Sequence, residues 1–386
     1  MNTIDELIVN ALAAIRARGH WREMVPARLL HGGGIMRAGS RMTDYSSNDY
    51  LGLARHPLLA ERARFFAAEY GTGAGASRLV TGTSDAHVAL ETKIAAFKGT
   101  EAALVFATGW QCNAAVIPAL LALAPGAAVF TDKLIHASMH SGLAAGRVRQ
   151  IRFRHNDLSH LAELLTTRGK DAPARFIFTE SVFSMDGDRA DVAALAALAR
   201  DHDAFLFMDE AHATGVLGPH GAGLAAGVAG VDLVMGTFSK ALGGFGAYVA
   251  CSALLRDYLV NACGGFIFTT APPPAVIGAA DAALDLVPSL GAERTHLMEL
   301  AERLRAGLAA LGIDTAGSTT QIVPAIIGSE DAALALGRAL AERGIMAAAI
   351  RPPTVPPGTS RLRLALRAGH VADDIDLLLA ALRDLR

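Results

Sequence analysis

Three residues near the middle of the chain, Asp209, His212 and Lys240, have side chains that could share one reaction centre. Lys240 lies in the segment TFSKALGG between two apolar runs, and it is one of only five lysines. An ammonium group is rarely buried without a partner or a role, and a desolvated lysine amine can form a Schiff base. Taken alone, Lys240 could also be a strand-end lysine whose ammonium group reaches solvent.

The residue types around this lysine match the needs of pyridoxal phosphate (PLP). This cofactor requires an amine for a Schiff base, a carboxylate facing the pyridinium nitrogen and a cradle for its phosphate. Asp209 can supply the carboxylate, and His212 can reach the ring oxygen. Gly109 and Trp110 begin a predicted helix, whose positively polarised end can bind the phosphate. Thr237 can add a hydroxyl group to that cradle.

Several of these residues also have alternative roles. His136 could stack on the cofactor ring or simply cap a helix. Asp209 and Glu210 could be the acidic motif of a P-loop ATPase. That class also requires Gly-Lys followed by serine or threonine, but the only Gly-Lys pair in the sequence is followed by aspartate. Asp209, His212 and Glu180 could bind a metal ion, although no H-x-x-x-H or H-E-x-x-H spacing supports such a site. The glycines of loop 71–78 fit a dinucleotide fingerprint, but a predicted helix precedes them instead of a strand, which excludes that site.

Short apolar runs alternate with helical patterns through the middle of the chain. The predicted strands are 102–106, 127–130, 149–153, 175–179, 204–208, 231–235 and 246–250. The predicted helices between them are 84–98, 110–123, 157–167 and 191–202. Such alternation predicts an α/β fold with a mostly parallel, doubly wound sheet. Ligands bind at the carboxyl ends of such strands, where the polar residues named above converge.

Changes in the pattern of predicted helices and strands along the sequence predict the domain borders. A helix and a connecting segment occupy residues 1–45, and a large α/β domain follows over 46–275. Three consecutive prolines mark its end. A long helical stretch, 276–311, then begins a smaller α+β domain that spans 276–386.

The amino-acid composition and charge argue against several classes of protein. The chain has 386 residues, of which 52% are hydrophobic and 19% are charged, with a net charge of −2. No basic stripe suggests a nucleic-acid partner, and no apolar stretch is long enough to predict a membrane span. The N-terminal residues lack the pattern of a signal peptide, and the three cysteines have no metal-binding spacing. These features predict a cytoplasmic protein with reduced thiols.

The motifs resemble those of the α-oxoamine synthases, which are PLP enzymes of fold type I. The matching stretches are SSNDYLGL (46–53), TGW (108–110), HAS (136–138), ESVFSMDGD (180–188), DEAHATGVLG (209–218), TFSKALGG (237–244) and IRPPTVPPGTSRLRL (350–364). They cover nearly the whole chain in order. The resemblance implies a large domain whose mostly parallel, seven-stranded sheet lies between helices, together with a smaller α+β domain.

The same resemblance implies a role for each matching residue. Lys240 would bind PLP as a Schiff base, and Asp209 would pair with the pyridinium nitrogen. His212 would pair with the phenolic oxygen, and His136 would stack on the ring. The phosphate contacts would come from Gly109, Trp110, Thr237 and, from the neighbouring subunit of a homodimer, Thr269 or Thr270.

Substrate contacts follow from the resemblance as well. Asn48 and Arg361 would bind the carboxylate of the amino acid, and Ser184 would lie near the ring oxygen or this carboxylate. Arg22 would lie near the acyl chain. The last stretch, 350–364, is similar to the branch that condenses L-alanine with a pimeloyl thioester, bound to coenzyme A or to a carrier protein. The alternatives are branches that use glycine or serine with another acyl thioester, and a catalytically silent subunit, which would be expected to lack the lysine.

Overall fold

The strands of the computed structural model, which describes residues 2–30 and 34–385, form three separate sheets. In chain order they are β1 (Ala27–Leu29), β2 (Ile35–Arg37), β3 (Ser40–Asp44), β4 (Ala102–Phe106), β5 (Ala128–Asp132), β6 (Gln150–Phe153), β7 (Arg175–Glu180), β8 (Ala204–Asp209), β9 (Leu233–Thr237), β10 (Ala247–Cys251), β11 (Ile322–Gly328), β12 (Ile345–Met346), β13 (Ala348–Ile350) and β14 (Ser360–Ala365). The central sheet has seven strands in the order β4-β10-β9-β8-β7-β5-β6. β10 is antiparallel to both of its neighbours, and the other neighbouring pairs are parallel. The predicted seven-stranded, mostly parallel sheet is confirmed.

Helices cover both faces of this sheet, and further helices lie outside it. In chain order, the helices of the described residues are α1 (Thr3–Ala17), α2 (Pro57–Tyr70), α3 (Asp85–Lys98), α4 (Gly109–Ala122), α5 (Ala137–Ala145), α6 (Leu158–Arg168), α7 (Val192–Asp201), α8 (Ala253–Ala262), α9 (Gly264–Ile267), α10 (Pro274–Leu286), α11 (Gly291–Ala310), α12 (Glu330–Glu342) and α13 (Ala372–Asp384). Successive residues of a strand point to opposite faces, so Phe176 and Phe178 pack with α4 and α5, whereas Ile177 packs with α6 and α7. Burial on both faces explains why the inner strands are mostly apolar, whereas the edge strand β6 contains Gln150 and the exposed Arg152.

One predicted helix is interrupted. The stretch 276–311 forms two helices, α10 and α11, which differ in direction by 76°. The short turn Val287–Ser289 separates them, and Pro288 within it has no N–H group with which to continue the helix. No single helix in the described ranges is long and apolar enough to cross a membrane, although the bent pair of α10 and α11 meets that criterion by length and composition only.

The structure has two smaller sheets, and the first of them pairs N-terminal strands with a C-terminal strand. The first has the order β1-β2-β3-β12, and its last pair is parallel, with Thr43 opposite Ile345. The second is antiparallel in the order β11-β14-β13. The N-terminal strands therefore pair with the C-terminal part of the chain. The division at residues 45 and 275 stays a prediction.

Candidate active site

Lys240 follows β9, in the tight loop that leads to β10. Gly243 is needed in this loop, because its φ is +64° and a Cβ there would lie 2.3 Å from the carbonyl carbon of Leu53. Lys240 borders a cavity of about 270 Å³ at the carboxyl ends of the central strands. The cavity is lined by Thr108, Gly109, Trp110, His136, Ser138, Glu180, Asp209, Ala211, His212, Met235, Thr237, Ser239 and Lys240.

Burial changes the acidity of the Lys240 amine. It lowers the pKa of Lys240 to about 8, even though the nearby carboxyl groups of Asp209 and Glu180 raise it. An amine with this pKa can act as a nucleophile and can also take up or release a proton near neutral pH. The environment is therefore compatible with the Schiff-base role expected from the sequence.

His212 connects Lys240 to a chain of hydrogen-bonded side chains. Lys240 Nζ lies 3.0 Å from His212 Nε2, and His212 Nδ1 lies 2.7 Å from Tyr50 Oη. Tyr50 donates its hydroxyl proton to Asn48 Oδ1 at 3.0 Å, so the imidazole donates from Nδ1 and accepts at Nε2. Burial lowers the pKa of His212 well below its ordinary value, and the charges of Lys240 and Arg363 lower it further, which favours a neutral ring.

Asp209 and Glu180 end neighbouring strands and lie opposite each other in register. Asp209 is 4% exposed, and it accepts hydrogen bonds from Asn113 Nδ2 and the backbone nitrogen of Ala211, both at 2.9 Å. Burial, followed by the charge of Asp209, raises the pKa of Glu180 well above its ordinary value, which favours its neutral form. No lysine or arginine in residues 2–30 and 34–385 forms an ion pair with Asp209. A protonated pyridinium nitrogen would supply the missing counter-charge, so these residues fit PLP.

The first turn of α4 forms another wall of the cavity. Thr108 caps this helix by accepting a hydrogen bond from the backbone nitrogen of Gln111 at 3.0 Å. The backbone N–H groups of Gly109 and Trp110 have no acceptor in the part of the chain that the structure describes. A helix N-terminus with free N–H groups suits a phosphate, as the sequence predicts for these two residues.

Thr237 and His136 also line the cavity, although both form hydrogen bonds within the chain. Thr237 Oγ1 accepts from the backbone nitrogen of Ser239 at 3.1 Å and donates to the carbonyl oxygen of Gly246 at 2.9 Å. His136 caps α5 by accepting a hydrogen bond at Nδ1 from the backbone nitrogen of Ser138 at 3.2 Å. Capping uses only the edge of the imidazole, so it is compatible with stacking of the ring face on a cofactor.

Arg361 and Arg363 of β14 meet different partners. Arg361 is 4% exposed, and its guanidinium group forms an ion pair with Asp186. Arg363 donates to Asn48 Oδ1 at 3.1 Å and to the carbonyl oxygen of Ser184 at 2.6 Å. Asn48 belongs to the hydrogen-bonded chain that leads to the lysine, so the structure joins Asn48 with Arg363 and not with Arg361, the residue that the family resemblance favours.

Three other predicted residues lie apart from the cavity within this chain. Thr269 is half-buried, and Thr270 is exposed and forms an isolated bridge with Ser77 in the glycine-rich loop. Arg22 is exposed between α1 and β1. None of the three lines the cavity. A second chain would have to bring the threonines to the site, as the resemblance implies.

Sequence reasoning assigned no role to Tyr50 or Asn113. Tyr50 lies in the motif SSNDYLGL, and its hydroxyl contacts His212. Asn113 lies in the mostly apolar helix α4 and is 0% exposed. A buried asparagine in an apolar helix needs hydrogen-bond partners, and this signal in the sequence could have identified it.

An ionised histidine outside the cavity holds the loop 181–190. His155 lies 2.9 Å from Asp132 through Nδ1 and 2.9 Å from Asp188 through Nε2. Burial opposes the charge on this ring, but the hydrogen bonds to both carboxylates raise the pKa of His155 to about 10. His155, Asp186 and Asp188 lie close enough for a metal site, with their ligand atoms within 4.8 Å of one another. Both ring nitrogens donate to carboxylates, however, which leaves neither as a metal ligand.

We expect His155 to make the stability of the protein fall at alkaline pH. A histidine titrates at about pH 6.5 when unfolded, so the stabilisation is complete below about pH 6.5 and is lost as the pH rises through about 10. Thermal unfolding of the wild type and His155→Gln should give a difference in Tm that is largest below neutral pH and shrinks at alkaline pH. A difference that stays constant up to about pH 10.5 would contradict an imidazolium at this position.

Comparison with known proteins identifies relatives along the whole chain. The profile of the class I and II aminotransferase family matches residues 40–382. A protein from Bordetella bronchiseptica, described as a putative 8-amino-7-oxononanoate synthase, is 60% identical over 387 residues, which cover 99% of this chain and 97% of the relative. An 8-amino-7-oxononanoate synthase from Gluconacetobacter diazotrophicus is 60% identical over 355 residues, with coverages of 91% and 89%. A solved serine palmitoyltransferase from S. paucimobilis with a bound PLP–myriocin aldimine has a TM-score of 0.91 at 28% identity, with coverages of 100% and 98%.

Proposed function

The chain belongs to the class I and II aminotransferase family, and we propose that it is an α-oxoamine synthase that condenses L-alanine with a pimeloyl thioester. The reaction releases carbon dioxide and a free thiol, and its product is 8-amino-7-oxononanoate, an intermediate of biotin synthesis. PLP is the cofactor. The identity of 60% over 99% of the chain to a relative of that name supports the choice of substrates.

The observation that carries this proposal is an amine of lowered pKa in the same cavity as a buried carboxylate that forms no ion pair with a lysine or arginine of the described residues. When bound, PLP supplies an electron sink that stabilises negative charge on the substrate Cα. The buried charge of Asp209 favours a protonated ring nitrogen. Lys240 would hold the cofactor covalently and, once displaced by alanine, would remove the proton from Cα.

The remaining residues of the cavity would orient the cofactor. The free N–H groups of Gly109 and Trp110 would bind the phosphate at the positive end of α4. Thr237 would add its hydroxyl group by exchanging the carbonyl oxygen of Gly246 for a phosphate oxygen. His136 would lie against the ring face, and the neutral imidazole of His212 would pair with the phenolic oxygen.

We propose Arg363, in place of Arg361, as the residue that binds the carboxylate of alanine together with Asn48. The guanidinium group of Arg363 contacts Asn48, whereas that of Arg361 is already neutralised by Asp186. A guanidinium group can bind a carboxylate through two parallel hydrogen bonds, which a lysine ammonium group does not reproduce. Ser184, whose carbonyl oxygen accepts from Arg363 Nε, would lie beside this carboxylate. Arg22 stays a proposed contact of the acyl chain on resemblance alone.

Arg363→Lys should raise the KM for alanine by about 10- to 100-fold, because a charged hydrogen bond is lost. Arg361→Lys is the matched control, since it makes the same change two residues away on the same strand. It should lower Tm by weakening the contact with Asp186, while the KM for alanine changes by less than about threefold. Steady-state kinetics with varied alanine test both variants. The reverse pattern would restore the assignment to Arg361.

We propose that the enzyme is a homodimer whose subunits share each site. Thr269 and Thr270 lie outside the cavity of their own chain, and the neighbouring Phe268 is 86% exposed. A large apolar side chain this exposed is typical of a surface that a partner covers. The two threonines would then contact the phosphate in the neighbouring subunit.

A mixture of two impaired variants should recover activity if sites are shared. In a hybrid of Lys240→Ala with Thr269→Val/Thr270→Val, one site receives both a native lysine and native threonines. Light scattering should show a dimer of the 40.1 kDa chain, and the mixture after subunit exchange should be more active than the sum of its parents. No gain after exchange has been verified by mass spectrometry would count against shared sites.

We also propose that the enzyme acts in the cytoplasm. Its three cysteines, Cys112, Cys251 and Cys263, are free and buried. Unpaired thiols are typical of proteins from a reducing compartment, where disulfides rarely persist.

A panel of substrates tests the proposed function. The purified protein would be given L-alanine, glycine or L-serine with pimeloyl-CoA, pimeloyl carrier protein, acetyl-CoA or palmitoyl-CoA, and thiol release and product mass would be measured. We expect the fastest release with L-alanine and a pimeloyl donor. Faster release with glycine and acetyl-CoA, or with L-serine and palmitoyl-CoA, would place the protein in another branch. Absence of release from every pair, with PLP bound, would indicate a catalytically silent subunit.

A further inference from the structure

Asn113 connects two side chains on different walls of the cavity. Its amide is fully buried, and Nδ2 lies 2.9 Å from Asp209 Oδ2 and 3.0 Å from Ser138 Oγ. Ser138 Oγ lies 2.7 Å from His136 Nδ1. A continuous chain of hydrogen bonds therefore runs from the carboxylate through the amide and the hydroxyl group to the imidazole.

The groups at the two ends of this series of hydrogen bonds, Asp209 and His136, determine which atom donates in each bond. Asp209, as a carboxylate, only accepts hydrogen bonds, so Asn113 must turn its NH₂ group and not its oxygen towards it. The backbone nitrogen of Ser138 donates to His136 Nδ1 at 3.2 Å, so Nδ1 carries no proton. The Ser138 hydroxyl group then donates to the same nitrogen and accepts the second N–H of Asn113. His136 is left neutral, with its proton on Nε2.

We propose that Asn113 is a positioning residue that couples Asp209 to His136 through a single amide. One N–H group orients the carboxylate of Asp209. The other N–H group directs the Ser138 hydroxyl proton to His136 Nδ1, which adds a second donor to the backbone N–H of Ser138 and stabilises further the tautomer that leaves Nε2–H as a donor. We call the hydrogen bond to Asp209 the first branch and the bonds through Ser138 to His136 the second branch. The first branch rests on the proposed role of Asp209 towards PLP, whereas the second can be tested in protein without the cofactor.

Three variants separate the two branches. Asn113→Leu removes both, and Ser138→Ala removes only the branch to His136. Asn261→Leu is the control, because it removes an exposed amide whose hydrogen bond is to its own helix, at the carbonyl oxygen of Asp257. Two readouts apply: nitrogen NMR of labelled histidine in cofactor-free protein, which reports the tautomer, and the absorbance titration of PLP-bound protein, which reports the environment of the Asp209 carboxylate.

The wild type and Asn261→Leu should show His136 protonated on Nε2 alone. Both cavity variants should show a rise in the fraction protonated on Nδ1. Asn113→Leu should also shift the pH titration of the absorbance band and lower kcat by about 10- to 100-fold at unchanged KM for alanine, because a buried charge loses a hydrogen bond. Ser138→Ala should leave that titration as in the wild type.

The proposal is overturned if Asn113→Leu melts like the wild type and keeps both the His136 tautomer and the titration. If Asn113→Leu fails to fold, Asn113→Ala and Ser138→Ala decide, and an unchanged tautomer in both refutes the coupling. If the wild type binds no PLP, the proposed function fails, and the tautomer in cofactor-free protein still tests the branch through Ser138.

Discussion

Replacing Lys240 with alanine is expected to lower turnover by at least about 10⁴-fold, because this side chain has two tasks in the reaction. It would bind the cofactor covalently, and it would remove the Cα proton of alanine. Its pKa of about 8 suits both tasks, since roughly a tenth of the amine is unprotonated at pH 7 and about half at pH 8. No other lysine lines the cavity, so no other amine in the described residues can replace it.

Chemical trapping gives this prediction a measurement that does not depend on turnover. The wild type should be yellow, and borohydride should bleach its absorbance band and fix the cofactor to Lys240, as read from a peptide map. Lys133→Ala is the control, because Lys133 is exposed and outside the cavity. That variant should behave like the wild type. Fixation at another lysine, or substantial turnover of Lys240→Ala, would refute the role of Lys240.

Asp209→Asn should keep the fold and lower turnover on the order of 10³-fold. The variant retains the shape of the side chain and an oxygen that can accept from Asn113. It loses the buried negative charge, whose interaction with a protonated ring strengthens as the transition state develops. The charge of Asp209 also raises the pKa of Glu180, so Glu180 should ionise at lower pH in the variant.

Asp232→Asn, the same substitution directly before β9, is the control for Asp209→Asn. Asp232 accepts a hydrogen bond from the backbone nitrogen of Leu206 at 2.7 Å and does not line the cavity. Asp232→Asn should therefore leave saturated turnover close to that of the wild type. Infrared spectra of the carboxyl band would follow Glu180 in both variants. Turnover of Asp209→Asn equal to that of Asp232→Asn would exclude an electrostatic role for Asp209.

The sequence predicted the central sheet well because both faces of its strands are covered. The inner strands are mostly apolar, and the polar residues that end or follow the parallel strands fall at their carboxyl ends. Asp209 and Lys240 were identified in this way. The predicted strand 204–208 and the observed β8 differ only by the inclusion of Asp209.

Features that depend on distant contacts could not be predicted from local patterns. Alternation along β14 places Arg361 and Arg363 on one side of the strand, but only the fold shows that Asp186 pairs with the first. The short helix α5, with the sequence ASMHSGLAA, has too many small and polar residues for a clear apolar stripe. The break between α10 and α11, by contrast, has a local signal in Pro288, which the prediction of one continuous helix over 276–311 did not take into account.

The pairing of β3 with β12 has a consequence for the timing of folding during synthesis. About 300 residues separate Thr43 from Ile345, its partner in the sheet. At roughly 5–20 residues per second, a ribosome needs about 15–60 s to make that stretch, far longer than the time for a hairpin to form. During this interval β1–β3 have one edge without its native neighbour, and such an edge can pair with another nascent chain. The last strands to be translated therefore limit when the first ones are protected from aggregation.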